Sequence, residues 1–205
     1  SAYLHPLPGG RLLGMGYDAV DMGNFAWFQG PQLSLLDISE PTELARTDFV
    51  TMGERGSHID VTVNHHAFHY SEARELISFS ARLFEYESAT PNGGAFAGKL
   101  VFSGLLLYSV KDRFQEVGRV THSEWIPREC RFNQERPQWW QTSVESLDVQ
   151  RSFIQKNRLY VFSPFAVETY SLKNLSQSKT QYVYGDNQEE CGRIQAAPSG
   201  PVGWD

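Results

Sequence analysis

One pattern limits what this chain can fold into: short apolar runs separated by tight polar turns, with no competing helical period. Gly30 to Gly53, GPQLSLLDISEPTELARTDFVTMG, shows it most clearly. Leu33-Ser34-Leu35-Leu36 is short, apolar and β-rich, as a strand buried on both faces is. Asp37-Ile38-Ser39-Glu40-Pro41 stops it, because Asp and Ser side chains bond nearby backbone N–H groups and Pro41 presets φ. Leu44 to Met52 then reads as the next strand. This strand, polar turn and strand recur three times along the chain.

In order, Tyr3 to Leu7, a Pro8-Gly9-Gly10 turn and Arg11 to Tyr17 open the first cycle. Gly14 and Gly16 share one face, where a second backbone or a tight packing layer can approach. Asp18 to Pro31 is expected to be a connecting loop carrying Phe25, Trp27 and Phe28. A polar stretch from Gly53 to Asn64 leads into a second cycle: His65 to Tyr70, Leu76 to Phe84, Leu100 to Val110 and Phe114 to His122. The third is compact, with Arg151 to Ile154, Leu159 to Phe165, Val167 to Leu172 and Thr180 to Tyr184. Second strands begin Arg11-Leu12, Glu75-Leu76 and Arg158-Leu159. Third strands end at Ile38, Val110 and Leu172, spaced by 72 and then 62 positions. Each cycle reads as a four-stranded antiparallel sheet that must bury its faces against its neighbours. The expected fold is all-β: a β-propeller fragment of about three four-stranded blades, its ring incomplete within this chain. Residues 1–64 form the first blade, 65–150 the second with a long insertion at 123–148, 151–185 the third and 186–205 a tail. Blades run to about 40–50 residues, so insertions carry the excess length.

A net charge of −6 argues against binding a nucleic-acid backbone, which requires a basic face. No apolar run approaches the roughly 18 residues of a membrane-spanning helix. The opening residues Ser1-Ala2-Tyr3-Leu4-His5-Pro6 lack the basic and apolar regions of a signal peptide, so any such segment is expected upstream of this chain. Cys130 and Cys191 are the only cysteines and stand in polar contexts. A bridge between them would close a loop of about 60 residues, worth roughly 4 kcal/mol; two unrelated thiols are the alternative.

The motifs resemble those of the bacterial and archaeal secreted β-propeller domain proteins. Tyr3-Leu4-His5-Pro6 with Leu12-Leu13-Gly14-Met15-Gly16 carries the likeness, as does Leu33-Ser34-Leu35-Leu36-Asp37-Ile38-Ser39 beside the family's Leu-Phe-Asp-Val-Ser-Asp run. Asn64-His65-His66-Ala67-Phe68 resembles its Asp-His-Lys-Ala-Phe element, and Val120-Thr121-His122 its blade-ending His. Val149-Gln150-Arg151-Ser152-Phe153-Ile154 with Arg158-Leu159-Tyr160 resembles its Arg-Ser-aromatic-Ile strand. The resemblance covers residues 3 to about 175 and implies the fold and an extracytoplasmic setting: secreted, periplasmic or on the cell surface. It brings no catalytic residues. Asn64, His66 and Glu40 depart from the family pattern, which weakens any cation site built on its acids.

Candidate chemistry is sparse. His58, Asp60, His65 and His69 are the only grouping that invites a metal, but on a strand His65 and His69 share a face while His66 points away. The preferred reading makes Asp37, His65, His122 and Arg151 structural: a turn former, and three blade-end groups hydrogen-bonding one blade to the next. No cofactor is expected, although Asp37 with Ser39 has the oxygen chemistry of a calcium turn. No Gly-x-Ser-x-Gly elbow or phosphate-cradling loop occurs. Trp27, Trp125, Trp139 and Trp140 are the candidate ligand-binding set, since exposed aromatics form platforms for a sugar or a peptide. The expected function is therefore a noncatalytic scaffold or binding module for a protein or carbohydrate ligand. The alternative is a hydrolase-like or metal-dependent enzyme with its site at the propeller centre. Three sheets leave two terminal faces bare, so the remaining blades of a longer parent or another copy of the chain are the expected partners.

Overall fold

Each polar turn folds an apolar run back on the one before it, so neighbours in sequence become neighbours in a sheet. The computed structural model describes residues 1–40, 42–86, 98–126 and 148–183 and contains three antiparallel sheets. In the first, β1 (Tyr3–Leu7), β2 (Arg11–Asp21), β3 (Ala26–Asp37) and β4 (Ala45–Thr51) lie in chain order. The second has β5 (His58–Ile59) and β6 (Phe68–Ser71) sharing one edge of β7 (Leu76–Glu85), followed by β8 (Lys99–Ser109) and β9 (Gln115–Val120). The third runs β10 (Arg151–Gln155), β11 (Arg158–Phe162), β12 (Ala166–Ser171) and β13 (Asn174–Val183). The fold is an incomplete β-propeller: none of the sheets closes on itself, and no α-helix occurs among the described residues.

The second strands begin and the third strands end at the positions expected from the repeat, because the same turn chemistry recurs. Asp37 Oδ1 accepts from the Ser39 backbone N–H at 2.9 Å and from its hydroxyl at 2.7 Å. The third sheet does the same with a hydroxyl, Ser171 Oγ accepting from the Lys173 N–H at 3.3 Å. At the far end of the opening stretch, Gly53 adopts φ +58°, and a side chain on Gly30 would run into the Met52 and Gly53 carbonyls. Glycine is the residue that fits both positions.

Three local expectations are corrected. Residues 18–31 are not a loop: β2 and β3 continue as a paired hairpin to Asp21 opposite Ala26, past an irregularity between Tyr17 and Ala19. Asp21 makes the tip, its Oδ1 accepting from the Gly23 N–H at 2.7 Å while Gly23 takes φ +85°. His65 to Tyr70 is not one strand. Asn64 caps a 3-10 turn over His65–Ala67 by accepting from the His66 N–H at 3.1 Å, and the strand starts only at Phe68. Finally, the polar lead before it supplies β5, so the first strand position of the second sheet is built in two pieces.

Two apolar layers hold the sheets face to face. Leu13, Met15, Leu33 and Leu35 from the first sheet meet Ile77, Phe79, Leu106 and Tyr108 from the second. Leu105 and Val120 of the second meet Leu159, Val161 and Tyr170 of the third. Arg11 ties the first pair at the rim. Its guanidinium donates to the carbonyls of Val110, at 2.8 Å, and Lys111, and pairs with Glu75 Oε1 at 2.9 Å. Arg74 donates to Asn157 Oδ1 across the second junction.

Phe79 is fully buried between the first two sheets and lies 6.1 Å from the Tyr108 ring. Truncating it leaves a cavity that the two sheets fill only by moving together. Phe79→Ala is expected to lower unfolding free energy by about 3–5 kcal/mol, read from urea denaturation.

Candidate functional site

A group of polar side chains, all but Thr121 buried, sits where the end of the second sheet meets the third. Thr121 and His122 follow β9, Asp148 precedes β10, and Glu168 and Tyr170 point inward from β12. Asp148 is wholly buried. Its Oδ1 accepts from the backbone N–H groups of His122, at 2.6 Å, and Val149, at 2.9 Å. Its Oδ2 accepts from the Thr121 hydroxyl at 2.8 Å. Those donors favour the charged carboxylate, yet burial outweighs them and pushes the pKa up to about 6. Across the junction, the Tyr170 hydroxyl donates to Glu168 Oε2 at 2.6 Å, and burial with that neighbouring carboxylate holds the phenol protonated.

His122 joins the two halves. Its Nε2 lies 3.1 Å from Glu168 Oε2, both side chains being buried. The ring is turned so that no N–H points along that line, which makes the contact electrostatic rather than a straight hydrogen bond. Burial lowers the imidazole pKa, and the Glu168 charge opposes it only in part. Beside this group a cleft of about 480 Å³ opens, lined by Arg119, Thr121, Glu124, Glu168, Tyr170 and Ser176 among others. Arg119 is already paired to Glu116 at 2.6 Å.

A second polar group joins the first two sheets. The Tyr17 hydroxyl lies 2.6 Å from His58 Nδ1, His58 Nε2 is 3.7 Å from Asp60 Oδ1, and the Ser80 hydroxyl donates to Asp60 Oδ2 at 2.9 Å. Burial, helped by the Arg82 charge, lowers the His58 pKa to about 4, so the ring is neutral at pH 7. Both groups lie across a sheet junction, the second joined by hydrogen bonds and the first leaving both ring nitrogens of His122 without a hydrogen-bond partner. Such networks fix the register of two sheets when fully satisfied.

The sequence candidates are scattered. His58 and Asp60 do meet, but His65 is exposed on its 3-10 turn beside His66, and His69 accepts from the Ile154 N–H at 3.1 Å. No three His, Cys, Asp or Glu side chains converge as metal ligands among the described residues. Asp37 is spent on its own turn, and the Ser39 bonds hold its pKa down. Of the three expected blade-end linkers, His122 is buried at a junction, whereas His65 and Arg151 are exposed. His65 leaves the sheet on its turn, and Arg151 points to the bare side of β10; His69 makes the link that His65 was expected to make. Trp27 is half-buried with the Arg55 guanidinium 4.7 Å from its ring centre and Phe25 tilted against it at 5.7 Å. Trp125 is half-buried in a 3-10 turn. Trp139, Trp140, Cys130 and Cys191 lie outside the described residues.

Asp148, Glu168 and Tyr170 were missed. Glu168 left one signal, a lone acid inside the β-rich run Ala166-Val167-Glu168-Thr169-Tyr170. Asp148 left none, since it closes a long polar segment.

Residues 1–175 match a family model described as Beta propeller domain. No curated protein and no solved structure matches the chain.

The buried groups make opposing contributions to acid stability. Asp148 has a folded pKa near 6 against an ordinary 3.8, so the native state holds the extra proton and this group loses stability as pH rises from 4 to 6. That shift corresponds to roughly 3 kcal/mol. His58, lowered from 6.5 to about 4, acts the other way: its unfolded form takes the proton first, and stability falls as pH drops through that window. Asp148→Asn removes the first effect and leaves the second. Urea midpoints measured at pH 4.5 and 7 are expected to separate more widely in the variant than in the parent chain.

Proposed function

The chain belongs to the beta propeller domain family, and from that premise we propose that it is a noncatalytic scaffold and binding module working outside the cytoplasm without a cofactor. The observation that carries the reading is where the polar and the apolar groups lie. The carboxylates best suited to acid–base chemistry are taken up at the sheet junctions, Asp148 by three donors and Glu168 by the Tyr170 hydroxyl, with the His122 ring 3.1 Å from Glu168. The most exposed large apolar side chains include Phe25 and Phe28, 56% and 62% exposed, beside Met22 on the β2–β3 hairpin. Phe28 stands on the paired part of β3 and Phe25 at the tip, where its carbonyl accepts from the Met22 N–H at 3.0 Å, so together they present an apolar contact surface.

The ligand is a polypeptide with apolar side chains. Phe25 and Phe28 offer no hydrogen-bonding groups for sugar hydroxyls, and one face of Trp27 is covered by Arg55. Hydrophobic side chains of a partner fit such an edge, with Trp27 at its base.

Peptide and glycan arrays probed with the parent chain and with a Phe25→Ser, Phe28→Ser double variant test this. Peptide binding that weakens at least tenfold in the double variant, with the circular dichroism spectrum unchanged, is the expected result. Two outcomes overturn the proposal: binding confined to glycans, or hydrolysis of chromogenic ester or glycoside substrates that disappears in a folded Glu168→Gln variant.

A further inference from the structure

The second and third sheets part at one end of their junction. Past Val120 the chain leaves β9 as a 3-10 turn over Ser123–Trp125, and the cleft opens between that turn and strands β12 and β13. Its floor and its rim differ. Glu168 and Tyr170, 2% and 6% exposed, form the floor. Thr121, Ser123, Glu124 and Ser176 are exposed around the mouth. Val120, buried, and Leu175, half-buried, supply apolar wall.

Three hydroxyls of this cleft have already spent their hydrogens. Tyr170 donates to Glu168 Oε2 at 2.6 Å, Thr121 to Asp148 Oδ2 at 2.8 Å and Ser176 to Asn174 Oδ1 at 2.6 Å. A hydroxyl has one hydrogen and two lone pairs, so toward an entering group each of these can only accept. Glu168 also accepts: a carboxylate has about four lone-pair sites, and the Tyr170 hydroxyl fills one. Glu124 brings a second carboxylate to the mouth. The Tyr170 phenol, held protonated first by burial and by Glu168, feels the Glu124 charge as well.

No positive charge answers the floor among the described residues. Arg119 stands opposite Leu106, which packs toward the first sheet. Its guanidinium accordingly lies over the Phe102 ring, at 5.2 Å, and pairs with Glu116. His122 is fully buried beside Glu168 with neither ring nitrogen hydrogen-bonded, and burial keeps the ring neutral at pH 7. Glu168 is thus a buried carboxylate holding one phenol donor, an arrangement that becomes favourable when a cation with further donors meets it.

The group that fits is positively charged, donates several hydrogen bonds, accepts none and carries an apolar stem. An arginine side chain has all of these: a planar fork of N–H donors, no acceptor, and methylenes to lie along Val120 and Leu175. Lysine offers fewer donors on a more strongly hydrated ammonium, which costs more to bring against a buried carboxylate. Sugar hydroxyls need donors as well as acceptors around them, and the floor presents acceptors. A metal ion is not favoured, since no three metal-ligating side chains converge among the described residues.

We propose that this cleft is a second binding site, independent of the β2–β3 hairpin, which takes an arginine side chain of a polypeptide partner. The guanidinium rests on Glu168 and the Tyr170 oxygen, the stem lies between Val120 and Leu175, and the rim hydroxyls meet the partner's backbone. Because these groups come from both sides of the junction, a bound arginine also joins the second sheet to the third.

The probe is acetyl-Gly-Arg-Gly-amide, titrated calorimetrically into the chain at pH 7 and low ionic strength. It has no apolar side chain for the Phe25 and Phe28 hairpin to hold, so the two sites are read separately. Saturable binding is expected, at least tenfold weaker when lysine or the uncharged citrulline replaces arginine. Glu168→Gln keeps an oxygen for the Tyr170 hydroxyl but loses the charge, and is expected to weaken binding at least tenfold with an unchanged circular dichroism spectrum. Glu124→Lys, at an exposed position away from the packed floor, is expected to weaken it at least fivefold. Absence of saturable binding overturns the proposal, as does a lysine or citrulline peptide that binds as tightly as the arginine one. Full affinity in either folded variant overturns it too. Butylguanidinium that binds more tightly than the peptide would assign the cleft to a small molecule instead of a polypeptide.

Discussion

The structure depends on one constraint: a β-sheet in the interior of a stack has two faces, and both must leave water. The second sheet satisfies it completely. Phe79 and Ile77 go one way into the first sheet, and Leu105 and Val120 go the other way into the third. This explains why β7 is buried almost along its whole length, with Ser78 and Ser80 buried beside its apolar residues, and why β8 is buried from Gly104 to Tyr108, while β4 and β13 at the sheet margins are polar and largely exposed. The polar groups trapped at the junctions follow from the same constraint. Once Asp148 and Asp60 lie between sheets, each must find donors there, because a buried carboxylate left unpaired costs more than the packing around it returns.

Much of this was legible, and the parts that were not have physical reasons. The starts of β2 and β11 could be read because each follows a turn that contains Gly or Asn, and that of β7 because the polar Glu72-Ala73-Arg74-Glu75 separates two apolar runs; such chemistry is local. The β2–β3 hairpin was misread because Asp18, Asp21 and Gly23 are loop formers. What keeps that stretch paired is the ladder from Gly16 opposite Gln32 onward, which is long-range. The break between β5 and β6 was hidden for the opposite reason. His65-His66-Ala67-Phe68 has strand-like composition, but Asn64 offers a cap that the backbone takes instead.

The site was less legible than the fold because burial of a polar residue is a tertiary property. His122 was noticed through its place at a strand end, and its partner Glu168 lies in another sheet. His65 and His69 looked interchangeable along a strand. The 3-10 turn turns one into solvent and leaves the other facing Ile154. Composition therefore identifies which residue types a junction can use, whereas register decides which copy of them is used.

Register also bears on why the sheets stack in the order they do. At the first junction Leu13 and Met15 oppose Ile77 and Phe79, so large side chains interlock on both sides. At the second, Ser78 meets Ser152 and Ser80 donates to Asp60, while Leu105 and Val120 supply the bulk that packs on Leu159 and Val161. Overpacking and cavities each cost a few kcal/mol in such a core. The volume pattern along the equivalent positions thus discriminates among sheets that the hydrophobic pattern alone treats as alike.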